Sequence, residues 1–390
     1  MATTNRRRFL WLGSTATGFG LALPSLAYGQ LHGAASATGG DPADRTVRLS
    51  GDGLGLTTSQ YSRLLARLAD ERGVAPDNYS MEGVVDALET AFARALGKER
   101  AVFMPTGTLA NHLAVRALAG GPSRVIVQDE SHLYQDEGDC AQTLSGLTLV
   151  PLSPGRATFT AADVQAAIDR TKGARVVRRV SVISIETPVR RRQGEMFDAT
   201  EMQRVVALAR REGIRLHLDG ARLFLQAAYT GQSVAETAKP FDTVYISLYK
   251  YFNAASGAIL AGPRALLDEM YHERRMFGGG LASVWPFAAV ALHYMEGFEQ
   301  RYAEAQRTSE AVIERLGRHG AFAIERVPGG TNLFRLRLKS GDAVLFRQRL
   351  SARAVMLSAP QNNTFLVGVN ETLNRMPAAD LADAFVRSLS

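Results

Sequence analysis

The 390-residue chain contains a single cysteine, Cys140. No intrachain disulfide can form, so cysteine usage does not separate an oxidising compartment from a reducing one. Aromatic residues make up only 8% of the chain, and no basic stretch is interleaved with them, which removes the usual footprint of a nucleic-acid surface. The charge excess is small: +7 overall, or 7 − 3 = +4 once Arg6, Arg7 and Arg8 are set aside with the N-terminal segment. Internal repeats are absent. Only residues 9–27 approach the length of a bilayer span, and Gly13, Gly18, Gly20 and Pro24 interrupt them.

That N-terminal stretch has a different reading. Asn5-Arg6-Arg7-Arg8-Phe9-Leu10 resembles a twin-arginine export signal, and Ser25-Leu26-Ala27 offers a small-residue cleavage site. Residues 1–27 are therefore expected to be a cleaved signal and residues 28–45, rich in Gly, Ala and Ser, a linker. The expectation is a folded protein exported to the periplasm, with no stable membrane anchor.

With 46% hydrophobic residues, the remainder can bury a large core. Short apolar runs at 101–104, 124–127, 180–185, 214–218 and 243–248 alternate with helix-like segments. Such alternation predicts an α/β fold with a mostly parallel sheet covered on both faces. From Trp285 the pattern changes: one long helix is expected through Met295 and Tyr302 to Leu316, then strands at 332–338 and 364–369 around another helix. The expected division is a large domain over 46–284 and a small C-terminal α+β domain over 285–390.

Two of the runs end in chemically useful residues. His217-Leu218-Asp219-Gly220-Ala221-Arg222 puts a carboxylate at one strand end, and Tyr245-Ile246-Ser247-Leu248-Tyr249-Lys250 puts an amine at the next. Ligands of open α/β sheets sit outside the carboxyl ends of strands. A lysine there can form the Schiff base with pyridoxal phosphate, and an aspartate there can keep the pyridine nitrogen protonated. Taken singly, Asp219 also suits a helix cap and Lys250 an exposed strand end. Thr106-Gly107-Thr108, after the run at 101–104, would point backbone N–H groups from a helix N-terminus at a phosphate, or simply start a capped helix.

The ordered set of motifs resembles the low-specificity threonine aldolase and β-eliminating lyase family, a branch of the fold type I pyridoxal-phosphate enzymes. Ser50-Gly51-Asp52, Tyr79, Leu88-Glu89, Leu96-Gly97-Lys98-Glu99, Pro105 to Asn111, Glu130-Ser131-His132-Leu133-Tyr134, His217 to Leu225 and Gly278-Gly279-Gly280 are similar to its segments in order. The resemblance implies that Lys250 holds the cofactor and that His132 stacks on it and serves as a catalytic histidine. It further implies that Asp219 supports the ring, that Thr106, Gly107 and Thr108 bind the phosphate, that Arg222 lies beside both the cofactor's phenolic oxygen and the substrate, and that Ser50 contacts the substrate. It also implies a homodimer or homotetramer, with Tyr79 and the glycine run contributed across an interface.

The departures matter too. Phe365 stands where the family carries a carboxylate-binding arginine, and Ile185-Glu186-Thr187-Pro188 ends in proline where the family has a histidine. An apolar ring at Phe365 would favour a substrate with a large hydrophobic group. The alternative is plain core packing, with Arg190, Arg191, Arg192 or Arg222 holding the carboxylate. The activity implied is cleavage of a β-hydroxy amino acid to glycine and an aldehyde. β-Elimination, transamination and a degenerate, non-catalytic binding protein are the alternatives, and no metal is implied.

Overall fold

Fully buried parallel strands read as unbroken apolar runs, because both faces are covered, and the runs at 101–104, 124–127, 180–185, 214–218 and 243–248 all fold as strands. The computed structural model describes residues 45–173, 175–176 and 178–390; the expected signal and nearly all of the linker lie outside the described residues. In chain order the strands are β1 Val47–Arg48, β2 Arg100–Met104, β3 Arg124–Gln128, β4 Thr148–Leu152, β5 Val180–Glu186 and β6 Arg215–Asp219. They continue with β7 Thr243–Ser247, β8 Ala258–Gly262, β9 Phe322–Arg326, β10 Leu333–Leu338, β11 Val355–Met356 and β12 Thr364–Gly368.

The central sheet has seven strands in the order β2-β8-β7-β6-β5-β3-β4. From β7 to β4 every pairing is parallel, and β8 runs antiparallel to both β7 and β2. This is the expected α/β class. β4 escaped the sequence reading because Pro151 interrupts it; at the sheet edge a missing N–H donor is tolerated.

The helix expected over 285–316 is two helices, Trp285–Met295 and Phe298–Gly317. Gly297 separates them at φ 69°, a left-handed conformation that a residue without a Cβ adopts cheaply. Beyond them, β12-β10-β9 form a three-stranded sheet, antiparallel throughout. β1 pairs in parallel with β11, so the chain just after the linker is tied to this C-terminal region. Among the described residues no helix is long and apolar enough to cross a membrane.

One aromatic cluster bears directly on the site. Tyr251 and Phe252, immediately after Lys250, pack with centroids 4.6 Å apart, and Phe252 meets Phe92, Phe224 and Phe298 at 5.2, 5.1 and 5.2 Å. Edge and tilted ring contacts of this kind add about 0.5–1.5 kcal/mol each beyond area burial. They anchor the turn that carries the lysine.

Candidate active site

At the carboxyl ends of β5, β6 and β7 lies a cavity of about 190 Å³. His132, Asp219, Arg222 and Lys250, all expected from the sequence, line it together with Asp52, Glu186, Arg190, Tyr245 and Tyr249. A second depression of about 600 Å³ shares Asp52, Tyr249 and Lys250 with it. Ser50 lines this depression and not the cavity; Asp52, two residues on, takes the inner position.

Asp219 is held by donors. Its Oδ2 accepts from Asn111 Nδ2 at 2.8 Å and its Oδ1 from the Ala221 backbone N–H at 3.1 Å. The same Asn111 Nδ2 donates to Glu137 Oε1 at 2.8 Å. Since carboxylates only accept, both amide hydrogens are spoken for and Asn111 Oδ1 must face His217 Nε2, 3.0 Å away. Burial pushes His217 down to about 4, so it is neutral near pH 7. Its Nε2 then carries the hydrogen, and Nδ1 accepts from the Thr243 hydroxyl at 2.8 Å.

His132 Nδ1 lies 2.9 Å from the same Glu137 Oε1, and this bond raises the imidazole above its ordinary range against the opposing effect of burial. Burial also raises Glu137. His132, Glu137 and Asp219 each present a metal-ligand atom within 4.8 Å of the others, but the Asn111 amide and the His132–Glu137 bond already join them as a hydrogen-bonded cluster. Glu186 is fully enclosed. Its Oε2 accepts from the His132 backbone N–H at 2.6 Å and its Oε1 from that of Arg190 at 2.9 Å. Burial, reinforced by neighbouring Asp219, pushes it up to about 7.

Lys250 Nζ donates to the Tyr249 hydroxyl at 3.1 Å and stands 4.4 Å from the centre of that ring. Burial, and then the Arg222 cation, hold the amine below the usual lysine range. Arg222 itself is committed to Asp52, with Nε and Nη2 at 3.0 and 2.8 Å from Oδ2.

Thr106, Gly107 and Thr108 do not line the cavity. Thr106 caps the helix Gly107–Ala119 by accepting from Leu109 N at 3.1 Å, which leaves the N–H groups of Gly107 and Thr108 at the helix head without intrahelical acceptors. A Cβ on Gly107 would stand 2.1 Å from the Tyr245 hydroxyl, so glycine is required where this helix meets a residue of the cavity wall. The chain thus has an amine of lowered basicity, a donor-held carboxylate, an imidazole and a nearby glycine-opened helix N-terminus. That set suits pyridoxal phosphate: Lys250 would hold its aldehyde carbon, Asp219 its ring nitrogen and the Gly107 helix its phosphate.

Other expectations fall differently. Phe365 is fully buried on β12 against Phe346, ring centroids 5.8 Å apart. It packs the C-terminal core and supplies no apolar wall to the cavity. Arg191 is bound to Asp136 through Nε and Nη2 at 3.1 and 2.8 Å, and Arg192 to Glu195 at 3.2 Å; of the three, only Arg190 lines the cavity. Tyr79 is exposed and its N–H donates to Ala282 O at 3.0 Å, while Gly279 abuts Leu109 of its own chain. Sequence reasoning gave no role to Asn111, Glu137 or Tyr245. Asn111 lies four residues beyond Gly107 and Glu137 five beyond His132, one helical turn or so from a residue already singled out, which was the available signal.

The chain belongs to the beta-eliminating lyase family, whose model matches residues 68–338. It is a lyase that works with pyridoxal phosphate. It is 25% identical to the low-specificity L-threonine aldolase 1 of Arabidopsis thaliana over 74% of this chain and 80% of that one. To the low-specificity L-threonine aldolase of Escherichia coli K12 it is 25% identical over 78% and 89%. Among solved structures, a Listeria monocytogenes protein provisionally described as an L-allo-threonine aldolase is 27% identical, with a TM-score of 0.72 over 89% of this chain and 97% of that one. A Sphingomonas wittichii serine palmitoyltransferase, 16% identical over 88% of each chain with a TM-score of 0.62, shares the fold alone.

Proposed function

We propose that the protein is a threonine aldolase-type lyase that cleaves the Cα–Cβ bond of a β-hydroxy-α-amino acid, releasing glycine and an aldehyde. The observation that carries this reading is the convergence of Lys250 and Asp219 on one cavity from the ends of adjacent parallel strands, in a chain of this family. Bound pyridoxal phosphate supplies an electron sink for the pair released at Cα. Asp219, fixed by Asn111 and the Ala221 N–H, would hold the cofactor's ring nitrogen and favour its protonated form. Lys250, held below the usual lysine range by burial, would supply the amine that attaches to the cofactor and passes protons at the reacting carbon. His132 has Nδ1 engaged with Glu137, which leaves Nε2 to accept the proton of the β-hydroxyl. Glu186, pushed up to about 7, lies beside it where a proton can be held or released near the operating pH.

The test is product analysis. With threonine and phenylserine as substrates, the cofactor-loaded protein should yield glycine and aldehyde in equal amounts; ammonia with a keto acid, or no product at all, would reject aldol cleavage.

Two further readings accompany this one. The protein acts as a homo-oligomer. It is also exported: Arg6-Arg7-Arg8-Phe9-Leu10 and the cleavage candidate at Ala27 support passage through a route for folded proteins, so that the cofactor travels inside the enzyme. Replacing Arg6, Arg7 and Arg8 by lysine should trap the protein in the cytoplasm, and unchanged periplasmic recovery would refute export by this signal.

A further inference from the structure

An amino-acid substrate brings a carboxylate, and the position that would meet it by resemblance is filled by Phe365, enclosed in the C-terminal core. The cavity must find the partner elsewhere. Four of its residues are basic: His132, Arg190, Arg222 and Lys250. Lys250 is reserved for the cofactor. His132 is bound to Glu137, and Arg222 makes two contacts to Asp52. Arg190 alone among them, within the described residues, makes no hydrogen bond or ion pair through its guanidinium, although the adjacent Arg191 and Arg192 are each tied to an acid. An uncommitted guanidinium beside paired ones is a fork with vacant donors.

We infer that Arg190 binds the α-carboxylate of the amino-acid substrate. The inference rests on the amino-acid lyase reading and adds to it the residue that selects an α-amino acid over a simple amine. The backbone supports the assignment. Arg190 N donates to Glu186 Oε1 at 2.9 Å, Gln193 N returns to Arg190 O at 3.0 Å and Val189 N bonds Glu195 O at 2.8 Å. These bonds fix the Arg190 Cα just past the carboxyl end of β5, whose last residue, Glu186, pairs in register with Asp219. Arg190 and Lys250 therefore follow the two strands that flank β6, one on either side of Asp219. A planar guanidinium there can meet a carboxylate through two parallel hydrogen bonds, which a lysine cannot reproduce.

The test reads binding rather than turnover. Cofactor-loaded wild type, Arg190→Gln and Arg190→Lys are titrated with glycine and with glycinamide, following the cofactor's absorbance. Loss of a charge-assisted pair should weaken glycine about 10- to 100-fold in Arg190→Gln, with Arg190→Lys in between, while glycinamide changes less than about 2-fold in either. A purely structural role would weaken both ligands alike, and that result would overturn the assignment. So would unchanged glycine affinity in Arg190→Gln, or a selective loss of glycine in Arg222→Gln instead. If the wild type binds glycine through Arg190 yet cleaves no β-hydroxy amino acid, the lyase reading fails while the carboxylate assignment stands; if it binds neither ligand, both fall.

Discussion

At the scale of single residues, the behaviour of Asp219 depends on a side chain that does not touch it. His217 is neutral, caught between the Thr243 hydroxyl and the Asn111 carbonyl oxygen, and so orients the amide that donates to Asp219 and Glu137. Keeping it neutral has a cost in acid. Its pKa is depressed from the ordinary 6.5 to about 4, so below pH 6.5 the unfolded chain takes up a proton that the folded one refuses. The stability involved is present above the unfolded value and is lost as pH falls toward 4, by about 3 kcal/mol. Urea unfolding of wild type and His217→Gln across this range should show the wild type losing about that much more stability than the variant; parallel curves would mean that His217 is protonated in the fold.

At the scale of elements, β6 and β7 were legible because buried parallel strands leave unbroken apolar runs, and Asp219 and Lys250 were legible because they end those runs. β4 was hidden by Pro151, and the break at Gly297 by the helix-like periodicity on either side of it. The site was half legible for the same kind of reason. Local motifs exposed His132, Asp219, Arg222 and Lys250, whereas the distinction between Arg190 and its two neighbours depends on where Asp136 and Glu195 come to lie, which only the fold decides. Phe365 could be seen as a departure, with core packing as one of its two readings; choosing that one required the helix whose Phe346 covers its strand face.

The segment around Tyr79 and the helix Met270–Met276 shows another element-scale property. Arg274, buried to 2% exposure, donates to the carbonyls of Phe103, Tyr79 and Ser80, and Arg275 lies 4.9 Å from the centre of the Tyr79 ring. This braced rim nevertheless leaves Tyr79, Met276 and Leu281 at 44%, 55% and 38% exposure. Rigid exposed apolar groups suit a subunit contact. Light scattering should give at least a dimer, moved toward monomer by Met276→Glu with Leu281→Glu. A wild-type monomer with full activity at micromolar concentration would contradict the homo-oligomer.

At the scale of the whole molecule, one hydrophobic cluster runs from Val47 and Leu49 through Phe252 and Phe298 to Phe365 and Phe385. It joins the seven-stranded sheet to the C-terminal sheet, so the cavity is backed by a continuous core. That core fixes the turn after β7, and the chemistry proposed for the cavity depends on the lysine this turn carries. The most direct measurement is borohydride reduction of the purified, cofactor-loaded protein followed by peptide mapping. One pyridoxyl group per chain, attached to Lys250, is expected, and none in Lys250→Ala; a pyridoxyl group on any other lysine, or no reducible attachment in the wild type, would contradict the role of Lys250.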